Sequence, residues 1–251
     1  RDIEDGIDYT AGNMTVSELI DRYMKIRKKF GINSQRAYST VIKRTKNSSL
    51  GKKRIRDVKM SDAKLFYIDL HDSGLKRNTI SIYHNILRPS FEMAVDDDMI
   101  RKNPFKFYVS ELFEDDSVKR YALTWQQQEE YLQFIKEYGS GNYYNDIVIL
   151  LGTGLRVSEL YGLTKKDIDL ERHCIDITHQ LCRTAERNYF VKAPKSASGT
   201  RSVPMTGAVQ EAFENTLQNR YTTTEMIVDG YSGFIFLDKD GMPKVGMHLQ
   251  N

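Results

Sequence analysis

Arg156 and Glu159 lie three positions apart in the stretch Gly152-Thr-Gly-Leu-Arg-Val-Ser-Glu-Leu-Tyr-Gly-Leu163. On a helix they share a face, while Leu155, Leu160 and Leu163 point elsewhere. A guanidinium is always charged, and its planar fork of donors matches two oxygens of a carboxylate or a phosphate. An arginine in the first turn of a helix also faces the positive end of the helix dipole, a costly placement that a nearby anion offsets. The residues alone leave two readings open: a structural Arg156–Glu159 pair, or an arginine that binds an anion and is braced by a carboxylate.

Several elements must position this pair. Ahead of it, Thr124 caps a predicted helix over 125–138, and Gly139–Gly141 breaks it. The run Ile147–Leu151 is apolar enough for a buried helix or strand, and Gly152 and Gly154 interrupt it before a short helical segment. Beyond Leu163 the period changes. Residues 164–169 read as a turn, and 174–178, 188–192 and 201–204 read as strands. Between the last two strands lies the polar turn Ala193–Thr200, with Lys195 near its tip. Thr206 opens a helix to about Asn219 with Val209, Ala212, Phe213 and Leu217 on one face, and Gly233–Leu237 reads as a buried strand.

The first 110 residues or so read as all-helical. Thr15 and Glu18 form a capping box for a helix over 16–30, with Leu19, Ile20, Tyr23, Met24 and Ile26 inward and Gly31 ending it. A second helix over 34–46 turns Ala37, Tyr38, Val41 and Ile42 inward and Arg36, Lys43, Arg44 and Lys46 outward. A turn over 47–51 leads to a basic connector containing Lys52, Lys53 and Arg54. Ser61 is expected to cap a third helix, and Asn78 or Thr79 a long fourth one carrying Ile80, Tyr83, Ile86, Leu87, Phe91 and Ala94. Pro89 falls inside that fourth helix and is expected to kink or interrupt it.

Composition narrows the partners. A 251-residue chain allows one or two domains with a proper core. Mean hydropathy is −0.54, and no apolar run is long enough to span a bilayer. The start, 1–8, is polar and acidic and shows no signal peptide. Cys174 and Cys182 lie apart from metal-spaced partners, which argues for a reducing compartment and against a zinc site or disulfide framework. No HExxH helix or Gly-rich phosphate loop occurs. The window 22–59 holds 14 Lys and Arg against one acidic residue, Asp57, and so reads as a polyanion footprint with nucleic acid as the favoured partner. Such residues bind mainly phosphate. Arg77, Asn78, Thr79 and Ser81, at the start of the fourth helix, are candidates for reading bases, or are ordinary capping residues.

The stretch Thr153–Thr164 followed by Asp167-Ile-Asp169 resembles the first arginine box of tyrosine recombinases, the phage integrase family. The turn at Pro194-Lys195 with Gly199 and Arg201-Ser-Val-Pro204 resembles the lysine hairpin of that family, and the helical module ending in Ile100-Arg-Lys-Asn-Pro104 its core-binding domain. In detail the chain is similar to integrases of conjugative transposons, with Asp5-Gly-Ile-Asp8, Val203-Pro-Met205 and Phe236-Leu237 in register. The resemblance implies a mainly α fold with a small β-sheet. Residues 1–12 would end an upstream linker, 13–110 form a SAM-like core-binding domain of four to five helices, 111–121 link, and 122–251 form the first part of a mixed α+β catalytic domain.

It also implies chemistry without metal, ATP or other cofactor. A tyrosine attacks the scissile phosphodiester, giving a 3′-phosphotyrosyl bond and a free 5′-hydroxyl, and strand exchange reverses the step. Arg156 would hold the phosphate, Lys195 would protonate the leaving 5′-oxygen, and Glu159 would orient its neighbours from behind. Implied partners are double-stranded DNA core sites, three further copies in a synaptic tetramer, and an excisionase or DNA-bending factor. No membrane is implied, and the setting is the bacterial cytoplasm on nucleoid DNA. The second family box, His with Arg three positions later, is not found: residues 71, 84, 173, 179 and 248 are followed at that spacing by Gly74, Leu87, Asp176, Cys182 and Asn251. None of the fifteen tyrosines has the nucleophile's context, and Tyr161 occupies a packing position. A truncated chain that binds DNA without cleaving it is therefore expected. The alternative is a catalytically dead accessory protein derived from an integrase.

Overall fold

The computed structural model describes residues 11–27, 32–139, 143–184, 186–219 and 226–246. The chain divides into two compact units, Arg1–Arg120 and Tyr121–Asn251. It is mainly helical with two small antiparallel sheets, the fold class expected from sequence.

The first unit contains α1 (Val16–Ile26), α2 (Ile32–Asn47), the single turn α3 (Ser49–Lys52), α4 (Met60–Asp72) and α5 (Arg77–Asp96). The capping box at α1 forms as expected: Glu18 N–H donates to Thr15 Oγ1 at 3.2 Å and Thr15 N–H to Glu18 Oε2 at 2.7 Å. Leu19 and Ile20 are buried, whereas Ile26, expected inward, ends the helix and is largely exposed. The expected stop at Gly31 lies outside the described residues, as does the segment 5–8. The turn and connector expected over 47–57 are more ordered than foreseen. Ser48 caps α3, accepting from Gly51 N–H, a 3-10 turn follows at Ile55–Asp57, and buried Leu50 and Ile55 pin the segment to the core.

Two capping expectations are corrected. At α4 the cap residue is Lys59, whose N–H donates to the Asp62 carboxylate at 2.8 Å, so Ser61 lies inside the helix. A carboxylate reaching back does this better than a hydroxyl because it also complements the dipole. At α5 the first helical residue is Arg77, and its N–H donates to Asp116, at 3.1 and 3.2 Å from the two oxygens. A residue 39 positions away thus takes the place of a cap at Asn78 or Thr79. α5 also runs unbroken through Pro89. An interior proline costs about 3 kcal/mol. Around it Ile86, Leu87, Ser90 and Phe91 are fully buried, and Asn103 Nδ2 donates to the Arg88 carbonyl at 2.9 Å, so packing outweighs the local penalty. The helical face expected from spacing, Ile80, Tyr83, Ile86, Leu87, Phe91 and Ala94, is entirely buried. Phe91 and Phe105 pack with ring centroids 5.0 Å apart in the same core.

The second unit contains α6 (Trp125–Tyr138), α7 (Tyr144–Thr153), α8 (Val157–Leu160), β1 (Ile168–Asp169), β2 (Cys174–Ile177), β3 (Gln180–Arg183), β4 (Tyr189–Lys192), β5 (Arg201–Pro204) and α9 (Gly207–Gln218). Thr124 caps α6 as expected. The apolar run at 147–151 resolves as helix, and Gly152 lies inside it rather than breaking it. Ile149, Leu160, Tyr161, Ile175, Ile177, Val209, Phe213 and Phe236 share the core. Gly233–Phe236 is buried and Leu237 partly so, but the run forms no regular strand: Phe234 bridges Thr164 and Leu237 bridges Pro243 singly.

The strand order corrects the expected hairpin. β1 and β5 flank β2 in one sheet, and β3 pairs with β4 in the other. β4 and β5 are therefore not partners. In register, Ile177 pairs with Arg201 and Gln180 with Lys192, so the eight residues 193–200 form an excursion opposite the two-residue corner Thr178-His179. Lys195 rides on that excursion, not on a hairpin tip. β3 escaped the sequence reading because the corner resets the alternation: Ile177, His179, Gln180 and Leu181 are all buried.

Candidate functional site

The site begins where α7 ends. Gly154 takes a left-handed conformation (φ +66°) and its N–H closes the helix on the Leu150 carbonyl at 3.0 Å. A residue without Cβ adopts this φ freely. The chain then reverses through buried Leu155 to Arg156, which is the N-cap residue of α8. Gly162 closes α8 against β3, where a Cβ would lie 2.8 Å from Leu181 N. Nearby, the ring of buried His179 bonds the Gly162 carbonyl through Nε2 at 2.7 Å.

Glu159, at the third helical position, is fully buried and is the hub of the site. Each carboxylate oxygen faces two donors. Oε2 accepts from Arg156 N–H at 3.0 Å and from Arg201 Nη2 at 2.9 Å, and Oε1 accepts from Arg156 Nη1 at 2.7 Å and, more distantly, from Arg201 Nη1 at 3.4 Å. Burial pushes the Glu159 carboxyl up, but the hydrogen bonds from Arg201 and Arg156 together outweigh it and hold the pKa at about 2. Glu159 is thus an anion at every working pH. The Arg156 side chain remains 69% exposed and faces solvent from this anchor.

The Arg156–Glu159 pair of the first reading forms, and the arginine stays accessible to solvent. The sequence reading places Arg201 at the start of a strand and in the motif that resembles the lysine hairpin, but gives its side chain no role. The available signal was alternation: half-buried Arg201 and Val203 alternate with exposed Ser202 and Pro204, and a cation on the inner face of a strand needs an anionic partner. Lys195 is exposed, and Gly199 on the same excursion accepts a bond from Arg201 Nη1 at 3.1 Å. Tyr161 is fully buried, and its hydroxyl donates to Asp146 Oδ2 at 2.9 Å. Burial and the Asp146 carboxylate push the phenol far above its usual range. Asp146 also takes a bond from Lys244 Nζ at 3.0 Å, and burial raises its carboxyl against the opposing pull of Lys244 and Tyr161.

The cationic candidates in the first unit are arranged less uniformly than their sequence suggests. Lys43 and Lys52 are exposed, as are Asn78 and Thr79. Lys46 pairs with Asp21 and Lys53 with Asp62, both at 2.7 Å, while Arg44 donates to Ser73 Oγ at 2.6 Å and Arg54 to Asn13 Oδ1 at 3.4 Å. Exposed pairs of this kind contribute at most about 1 kcal/mol and exchange readily for another anion. The Arg77 guanidinium lies 4.0 Å from Asp115, and Ser81 Oγ donates to the Arg77 carbonyl of its own helix. Arg36 lies in α2, but its side chain is outside the described residues. Among the described residues no group of three or more His, Cys, Asp or Glu could hold a metal ion, and no helix is long and apolar enough to cross a membrane.

Comparison with known proteins places this architecture. Residues 121–250 match the phage integrase family and residues 15–110 the phage integrase SAM-like domain; the chain belongs to the phage integrase family of tyrosine recombinases. Transposon enzymes are among its relatives. It is 39% identical over 246 residues to the transposase from transposon Tn916 of Enterococcus faecalis, and equally to that from transposon Tn1545 of Streptococcus pneumoniae, covering 98% of this chain. It spans 61% of the length of either relative. Among solved structures, the Tn1549 transposon integrase in complex with a circular intermediate DNA superposes with a TM-score of 0.89 at 37% identity, over 93% of this chain and 74% of that one. A lambda integrase tetramer bound to a Holliday junction shares the fold (TM-score 0.67, 17% identity, 95% of this chain and 64% of that one).

Proposed function

We propose that this chain is the DNA-binding part and the first portion of the catalytic part of a site-specific integrase that inserts or excises a mobile element. The enzyme cuts and rejoins DNA through a 3′-phosphotyrosyl intermediate. Residues 13–110 serve as the core-binding domain, 111–121 as the linker and 122–251 as the start of the catalytic domain. Arg156 grips the scissile phosphate, Glu159 holds Arg156 in place, and Lys195 protonates the leaving 5′-oxygen. Arg36, Lys43, Arg44, Lys46, Lys52, Lys53 and Arg54 hold backbone phosphates, and Arg77, Asn78, Thr79 and Ser81 lie against the bases. The working state is a tetramer on two duplexes in the bacterial cytoplasm, with an excisionase or DNA-bending factor as a further partner.

The observation that supports this reading best is the exposed Arg156 guanidinium anchored on a fully buried, saturated carboxylate. That exposure leaves the guanidinium open to an incoming phosphate while the carboxylate behind it is fixed. No His-x-x-Arg occurs in the 251 residues, and Tyr161 is sealed in the core, so these residues bind DNA without cutting it.

A nicked suicide duplex incubated with the 251-residue chain tests this. The expected result is salt-sensitive binding, with a log–log slope near −5 for about six neutralised phosphates, and no covalent protein–DNA adduct. An adduct would overturn the assignment of the missing nucleophile, and a flat salt response would remove the basic window from the interface.

A further inference from the structure

One buried carboxylate lies between two guanidinium groups in this site. Glu159 is fully buried, Arg156 is 69% exposed and Arg201 30% exposed. A carboxylate offers about four acceptor positions, and Glu159 fills them with two donors from Arg156 and two from Arg201. The charges are the more consequential count. Glu159 with Arg156 alone is a neutral pair, and a neutral pair attracts an incoming phosphate only weakly. Adding Arg201 gives the trio one uncompensated positive charge, and the exposed member of the trio is Arg156. Arg201 also reaches sideways: its Nη1 donates to the Gly199 carbonyl at 3.1 Å, on the excursion that carries Lys195.

We propose that Arg201 is a positioning residue, which neutralises Glu159 so that Arg156 keeps a free positive charge for a phosphodiester, and which ties the Lys195-bearing excursion to the same carboxylate. This rests on the reading of Arg156 as the phosphate-binding group. Arg201 need not touch DNA to act. It sets the charge and direction of the group that does.

The test follows the arginine side-chain NMR signals of the 251-residue chain during titration with inorganic phosphate and, separately, with a duplex oligonucleotide. Arg201→Gln removes the surplus charge and is expected to weaken phosphate binding at Arg156 about three- to tenfold, the effect of one unit charge a few ångströms away. Arg201→Lys keeps the charge and stays within about twofold of the parent. Glu159→Gln preserves the cap, since glutamine also serves at that position, and leaves two unneutralised cations, so binding at Arg156 strengthens. The double variant E159Q/R201Q restores one net positive charge and returns to the parent affinity. Hydrogen exchange at the Gly199 and Thr200 amides speeds up in Arg201→Gln.

A merely structural Arg201 would behave differently, with the double variant at least as impaired as Arg201→Gln. That result, or parental affinity in Arg201→Gln, overturns the proposal. If circular dichroism shows that Arg201→Gln fails to fold, Arg201→Lys and the double variant decide it, and a double variant more than about threefold weaker than the parent is fatal. If the Arg156 signal of the parent responds to neither phosphate nor DNA, the phosphate-binding reading itself fails and takes this proposal with it, an outcome distinct from the others.

Discussion

Glu159→Gln separates charge from shape at the centre of the site, and its effect on stability should depend on pH in a defined way. The Glu159 pKa is lowered from an ordinary 4.5 to about 2 in the folded chain, after burial is set against the bonds from Arg201 and Arg156. A carboxyl whose folded pKa lies below its unfolded value adds stability above the unfolded pKa and loses it as pH falls toward the folded one. At about 1.4 kcal/mol per unit, the contribution at neutral pH is about 3 kcal/mol. Glutamine does not titrate, so the difference in unfolding free energy between parent and Glu159→Gln isolates this contribution. It should be flat from pH 7 to about 5 and fall by about 1 kcal/mol between pH 5 and 3.5. Urea unfolding followed by circular dichroism at each pH measures it, with hydrogen exchange locating the change in the second unit. A difference that stays constant down to pH 3.5, or grows, would refute the view that Glu159 is an anion held between two guanidinium groups.

Three further outcomes are expected from the same geometry. Lys244→Met removes the cation beside the buried Asp146 carboxylate while the Tyr161 hydroxyl still donates to it, and should cost about 3–5 kcal/mol in urea unfolding; pairing it with Asp146→Asn should recover most of that loss. Gly154→Ala has open space around the new methyl but forces a left-handed backbone on alanine, so the melting curve should report about 1 kcal/mol lost from the backbone alone. Asp116→Ala removes the cap of α5 and should cost about 1 kcal/mol, with faster hydrogen exchange at the Arg77 amide and those beside it.

Much of this was legible in the chain because it is encoded locally. The Thr15–Glu18 box declares itself through residues three apart, the start of α6 through its capping Thr124, and the buried face of α5 through its 3.6-residue period. The Arg156–Glu159 spacing belongs to the same class. Some of the failures trace to partners far off in sequence. Asp116, 39 positions on, caps α5, and packed neighbours carry α5 through Pro89, whereas Asp62 displaces Ser61 from only three residues beyond the cap at Lys59. The Thr178-His179 corner hides β3 by resetting the alternation that identifies a strand.

By itself, then, the sequence determined the helical first unit, the mixed second unit and the two residues at the heart of the site, because hydrophobic period, caps and charge spacing act over a few residues. Tertiary structure alone decided how that site is charged. Arg201, 42 residues from Glu159, meets it only because β5 pairs with β2 and carries its inner face to the carboxylate. The pairing of strands is set by closure of the core, and no local pattern around Arg201 names its partner.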